Sequence, residues 1–136
     1  MQSFSSPPTG GCSGIAGIGV DTATVARLEK SLARPGFLQR VYGPQEQAAL
    51  ARLSPAHAAQ SAAAAWAAKE ALGKALGCGI TGFALLEAQV LHATTGAPYF
   101  AFSGALAGRM AGLRAHLSLT HEGGLATAFV VLEHDG

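Results

Sequence analysis

A run dominated by alanine, from Pro55 to Leu76, constrains this chain more than any other feature. Alanine is the best helix former, so the run predicts one long helix. Ser54-Pro55 supplies an N-cap and a first-turn proline, and Gly77 can close the far end. The helix is therefore expected from about residue 55 to Leu76. The residues that are not alanine stand out. Trp66, Glu70, Gly73, Lys74 and Gly77 fall at i, i+4, i+7, i+8 and i+11, one stripe of a helix. A carboxylate and an amine on that mostly apolar stripe have two readings. One is an ion pair from Glu70 to Lys74, worth about 0.2–0.5 kcal/mol when exposed. The other is chemical: a carboxylate that holds a metal and a lysine that holds a phosphate.

The rest of the chain frames this helix. Residues 1–14 are rich in Ser, Pro and Gly and are expected to be a disordered lead-in. Ile15 to Val20 reads as a short buried strand that ends at Asp21. Thr22 to Arg34 reads as a helix with Val25, Leu28 and Leu32 inward, and Pro35-Gly36 ends it. Arg27, Lys30, Ser31 and Arg34 share another face, either a solvated stripe or a dock for an acidic partner. Phe37 to Tyr42 is short and apolar, and Gln45 to Leu53 can form a further helical turn or two. Gly77-Cys78-Gly79-Ile80-Thr81-Gly82 is a glycine-rich break after the long helix. Leu85 to His92 and Tyr99 to Phe102 read as paired strands around a turn at Thr95-Gly96-Ala97-Pro98. Ser103 can cap a helix through Leu113. His116 to Thr120 and Ala126 to Leu132 form a last hairpin, with His121 at a strand end and a tail, His134-Asp135-Gly136, expected to fray. This order predicts an α+β fold: a single domain, residues 15–133, with a mainly antiparallel sheet packed against the long helix.

At 136 residues the chain suits one domain. Only 12% of residues are charged and 49% are hydrophobic, so some apolar surface is expected to be buried between subunits. A net charge of +1, with no basic run, gives no case for nucleic acid. Cys12 and Cys78 form no CxxC pair, and no apolar run is long enough to span a membrane. The N-terminus lacks the features of a secretory signal. A cytoplasmic protein without a membrane partner is expected.

Asp21, Glu70 and His121 each have an ordinary structural reading, as a helix cap, an ion-pair partner or a turn residue. Taken in order with their neighbours, they resemble the holo-acyl-carrier-protein synthase family of 4′-phosphopantetheinyl transferases. The residues that carry the resemblance are Gly17-Ile18-Gly19-Val20-Asp21, Arg27, Trp66-Ala67-Ala68-Lys69-Glu70-Ala71 with Lys74, Gly77-Cys78-Gly79-Ile80 and Ser118-Leu119-Thr120-His121. Phe37-Leu38-Gln39-Arg40 with Glu46, and Gly96-Ala97-Pro98, agree with it, so the match spans roughly 15–133.

The resemblance implies transfer of 4′-phosphopantetheine from coenzyme A to a serine of an apo acyl carrier protein, with release of adenosine 3′,5′-bisphosphate. It implies magnesium held by Asp21 and Glu70, and catalytic roles for Glu70, Lys74 and His121. It implies coenzyme A contacts from Lys69, Gly77, Gly79, Ser118, Thr120 and His121. It implies docking of the acidic carrier on Arg27, with Lys30 and Arg34 on the same face by spacing, and assembly as a homotrimer with sites at subunit boundaries. Three positions depart from the family pattern. Ala65 and Ala97 stand where the family usually has basic residues, and Gln89 stands for a usual glutamate. Two other readings follow: a binding module of the same fold that holds coenzyme A or a carrier without turnover, and a structural module of a larger synthase.

Overall fold

The computed structural model describes residues 14–135. The expected lead-in, residues 1–14, thus lies outside the described residues except for Gly14. Strand β1 (Ile15–Thr24) leads into helices α1 (Val25–Leu32), α2 (Phe37–Val41), α3 (Pro44–Ala51) and α4 (Pro55–Leu76). Two 3₁₀ turns, Ile80–Gly82 and Leu85–Glu87, precede strands β2 (Ala88–His92) and β3 (Pro98–Phe102). Helix α5 (Gly104–Arg109) and strands β4 (Leu113–Glu122) and β5 (Leu125–His134) complete the chain. All strand pairs are antiparallel. They form two sheets, β1-β5-β4 and β2-β3.

Helix α4 has the predicted bounds because its end signals are local. The Ser54 hydroxyl accepts the His57 amide, Pro55 opens the first turn, and Gly77 takes φ 77° in the left-handed region. The alanines explain how closely it packs. Ala62, Ala63, Ala67, Ala68 and Ala71 are fully buried, against β1 and the small residues Ala126 and Ala128 of β5. Contact is closest at Gly17 and Gly19. A Cβ on Gly19 would lie 2.0 Å from the Ala71 carbonyl oxygen, and one on Gly17 would lie 2.0 Å from that of Ala75. These are backbone atoms and cannot swing aside. Gly19→Ala is expected to destabilise the fold by at least the ~1–3 kcal/mol of ordinary overpacking, read by chemical denaturation. A wild-type midpoint would show that the helix can lift from the sheet freely.

Several elements differ from expectation. β1 runs on through Asp21 to Thr24, so Asp21 sits within the strand, opposite Ala128, and Thr24 precedes the helix. A period of two governs β1: Gly17, Gly19 and Ala23 face α4, while Ile18 and Val20 are 61% and 53% exposed on the other side. The strand is half-buried rather than buried. Leu113 opens β4 instead of closing a helix, and Leu85–Glu87 is a 3₁₀ turn ahead of β2. The tail does not fray through Asp135. His134 pairs with Leu113, and Asp135 accepts a hydrogen bond from Arg114 at 2.8 Å. The Gly123-Gly124 turn has two positive φ angles, as a tight right-twisting hairpin requires.

Candidate active site

Packing of α4 on β1 brings Asp21, Glu70 and Lys74 together. Asp21 is on the inner face of β1, and Glu70 and Lys74 are one turn apart on α4. Lys74 does not pair with Glu70. Its ammonium reaches across to β1 and donates to Asp21 Oδ1 and the Val20 carbonyl, both at 3.0 Å. Its side chain stays 55% exposed, so the amine can still meet a ligand. Glu70 is left without a cation of its own. Burial raises the pKa of its carboxyl, and the Asp21 charge raises it further. Trp66 and Arg27 oppose the shift, although the buried Trp66 Nε1 finds no partner in hydrogen-bond geometry. Two adjacent carboxylates, one of them holding the Lys74 amine, form an oxygen donor set that suits magnesium, which commonly takes one or two carboxylates plus phosphate oxygens and water.

Arg27 links this group to the basic face of α1. Its guanidinium lies over the Trp66 ring, 5.9 Å from the centroid. Arg27, Lys30, Ser31 and Arg34 border a shallow hollow of about 240 Å³ with Phe37 and Trp66. The three expected docking residues are therefore one continuous exposed surface next to Glu70.

Lys69 corrects an expectation. It is fully buried and cannot contact a cofactor. Its ammonium donates to Glu46 Oε1 at 2.9 Å and to the carbonyls of Leu85 and Ala88 at 3.0 and 2.6 Å. That uses its three protons. Glu46 in turn accepts the amides of Gly43 and Val90, both at 3.0 Å. Burial lowers the Lys69 pKa, and Glu46 opposes this. The pair ties α4 to α3 and β2. Tyr42 lies beside it, its hydroxyl donating to the Ala62 carbonyl and its pKa pushed up by burial and by Glu46. Gln89 is also structural, since its carbonyl oxygen caps the amides of Gln45 and Glu46 at the start of α3.

The strand-end residues are not at the carboxylates in one chain. Register places His121 opposite Ala126 and Leu119 opposite Ala128, the partner of Asp21. His121 is thus two strands across and two residues along from Asp21, roughly 12 Å at Cα. It lines a pocket of about 370 Å³ with His57, Gln60, Ser61, Ala64 and His92 among others. At 3.6 residues per turn those α4 residues lie roughly 80–180° around the helix from Glu70. Ser118 and Thr120 project on the outer face of β4, opposite Phe129 and Thr127, although Thr120 also borders that pocket. An apolar pocket of about 310 Å³ adjoins it and includes Ala65, Leu50 and Tyr99 but neither carboxylate. Gly77 and Gly79 follow α4 with φ 77° and 71° and open space where a Cβ would stand. His57 and His92 escaped the sequence reading because they come from distant elements and no motif joins them.

Comparison with known proteins agrees with this architecture. The model of the 4′-phosphopantetheinyl transferase superfamily matches residues 17–130. A holo-[acyl-carrier-protein] synthase of Clavibacter sepedonicus is 44% identical over 127 residues, covering 90% of this chain and 98% of that relative. One from Cereibacter sphaeroides is 43% identical over 129 residues, covering 88% and 93%. The crystal structure of a holo-(acyl-carrier-protein) synthase from Bacillus anthracis, in complex with CoA (3′,5′-ADP), is similar with a TM-score of 0.77 and 32% identity, covering 88% of this chain and 97% of that one. A second, from Neisseria meningitidis, gives a TM-score of 0.77 at 31% identity, covering 88% and 98%. The fold is that of a phosphopantetheinyl transferase. The chain belongs to that superfamily's holo-[acyl-carrier-protein] synthase family.

Proposed function

We propose that this protein transfers 4′-phosphopantetheine from coenzyme A to a serine hydroxyl of an apo acyl carrier protein and releases adenosine 3′,5′-bisphosphate. The observation that carries this reading is the Asp21–Glu70–Lys74 group beside an exposed basic face, within a chain of this family. In the reaction the serine oxygen bonds to the phosphorus next to pantetheine, and the bond from that phosphorus to the bisphosphate oxygen breaks. Asp21 and Glu70 would hold magnesium, which when bound neutralises diphosphate oxygens. Lys74, held by Asp21 and exposed on its outer side, sets a positive charge against the phosphate and offsets charge on the leaving bisphosphate. The protein otherwise contributes position, which dominates catalysis of phosphoryl transfer.

The assembly is a homotrimer in this reading. The outer face of the β1-β5-β4 sheet leaves Ile15, Ile18, Val20, Leu125 and Phe129 each at least 44% exposed, a patch that a monomer would not normally leave in water. The carboxylates and the His121 pocket also lie on different flanks of α4. A neighbouring copy would complete each site, bringing Gly77 and Gly79 of one subunit near Ser118, Thr120 and His121 of the next. Among the described residues no helix is long and apolar enough to cross a membrane.

The test is a mass spectrum of apo acyl carrier protein after incubation with this protein, coenzyme A and magnesium. The carrier should gain one phosphopantetheine, and a chelator should prevent it. Coenzyme A binding without transfer to any of several carriers would favour the non-catalytic binding reading, which the absence of fixed cations at Ala65 and Ala97 suggests. Lys30→Ala with Arg34→Ala should raise KM for the carrier about three- to tenfold with kcat unchanged, and reduce its salt dependence, because charge on a rim acts on encounter. An unaltered KM would place the dock elsewhere.

A further inference from the structure

Among the described residues, the indole Nε1 of Trp66 is the one buried side-chain polar atom without a hydrogen-bond partner. Folded proteins rarely leave a buried N–H unpaired, because its lost hydration goes uncompensated. Packing holds the ring in place. Phe37 lies against it at 5.8 Å between centroids and 33° between planes, and the Arg27 guanidinium lies over it at 5.9 Å. Glu70 stands four residues on, in the same stripe of α4. The indole N–H acts as a donor toward the Glu70 carboxyl, yet the two fall outside hydrogen-bond geometry. The two nearby cations do not take its place. Lys74 donates to Asp21 and to the Val20 carbonyl, and Arg27 lies on the ring and acts on Glu70 through its charge.

The donor is fixed and the acceptor can move. The Trp66 ring is packed, whereas Glu70 is a long, half-buried side chain that can rotate about three bonds. A small rotation of Glu70 would close the hydrogen bond and end the burial of an unpaired N–H. We propose that Trp66 is a positioning residue for Glu70: its indole N–H donates to the ionised carboxylate of the metal-loaded protein and fixes that carboxylate's orientation beside Asp21. The inference rests on the reading of Asp21 and Glu70 as magnesium ligands. It gives a role to the ring nitrogen itself, which a phenylalanine at this position would lack. Outer donors of this kind orient ligating carboxylates, and their loss commonly lowers metal affinity about ten- to a hundredfold. Arg27, stacked on the same ring, helps to hold the donor where it is.

The experiment is calorimetric titration of the assembled protein with magnesium chloride, at saturating coenzyme A and without carrier, for wild type and for Trp66→Phe. Phenylalanine keeps an aromatic ring against Phe37 and Arg27 and removes the N–H. The magnesium Kd should rise about tenfold in the variant. A packing role alone would lower the denaturation midpoint and leave that Kd unchanged. A second measurement needs no change at Trp66. It is the sole tryptophan of the chain, so the wild type gives one indole N–H resonance. That resonance should move downfield as magnesium saturates, with the same midpoint as the heat, and it should stay in place in Glu70→Gln. Equal Kd values in wild type and Trp66→Phe, or a wild-type resonance that stays in place while magnesium saturates, overturn the inference and leave the metal reading standing. No magnesium uptake by the wild type overturns both. Metal-linked displacement of the indole resonance without carrier modification keeps the inference and removes the transferase reading.

Discussion

Glu70→Gln should abolish most turnover, a loss on the order of a hundredfold or more, while the metal-free protein becomes more resistant to heat. The two effects have one origin. The fold places Glu70 in a partly buried position beside Asp21, and its pKa is raised as a result. The native state thus holds a proton on this group more readily than the unfolded chain. Between the ordinary glutamate range and the raised value, the unfolded state binds fewer protons, so stability falls as pH rises. Glutamine fixes the neutral form and removes that penalty. A divalent ion should remove it in the wild type. Thermal melts in magnesium and in chelator at pH 7.5 separate the two cases. The wild type should gain in magnesium, and Glu70→Gln and Asp21→Asn should gain little. If both variants kept full activity in magnesium, these carboxylates would not be the metal ligands.

The second large effect concerns Lys69. Lys69→Met would leave the Glu46 carboxylate buried without its cation, which costs about 3–5 kcal/mol when one partner of a buried pair is removed. The loss should appear in denaturation midpoints. KM for coenzyme A should hold for whatever fraction remains folded, because the lysine side chain is fully buried. The double change Lys69→Met/Glu46→Leu should recover part of the loss, since a buried pair is often replaced by apolar residues at little cost. Recovery should be incomplete, because the amides of Gly43 and Val90 lose the acceptor that Glu46 provides. A mild Lys69→Met variant with a raised KM would return Lys69 to the cofactor site.

What the sequence determined by itself is what local chemistry decides. The bounds of α4 follow from Ser54, Pro55 and Gly77, each acting within one turn of itself. The hairpin follows from Gly123-Gly124, and the family follows from short ordered motifs. The stripe of Trp66, Glu70 and Lys74 follows from helical spacing alone. The tertiary structure decided whatever depends on a partner far along the chain. Lys69 and Lys74 are five residues apart on one helix, yet one is sealed inside and the other is half in solvent. Only what packs against each side of α4 separates them: α3 and β2 over Lys69, the open flank of β1 beside Lys74. Asp21, 53 residues from Lys74, displaced Glu70 as its ion-pair partner because β1 lies against α4 at glycine distance. Strand parity put Ser118 and Thr120 on the face away from α4, and His121 joined two histidines that share no motif with it. A helix wheel or strand period gives the faces of an element, but the neighbour that covers each face is set by the packing of the whole chain.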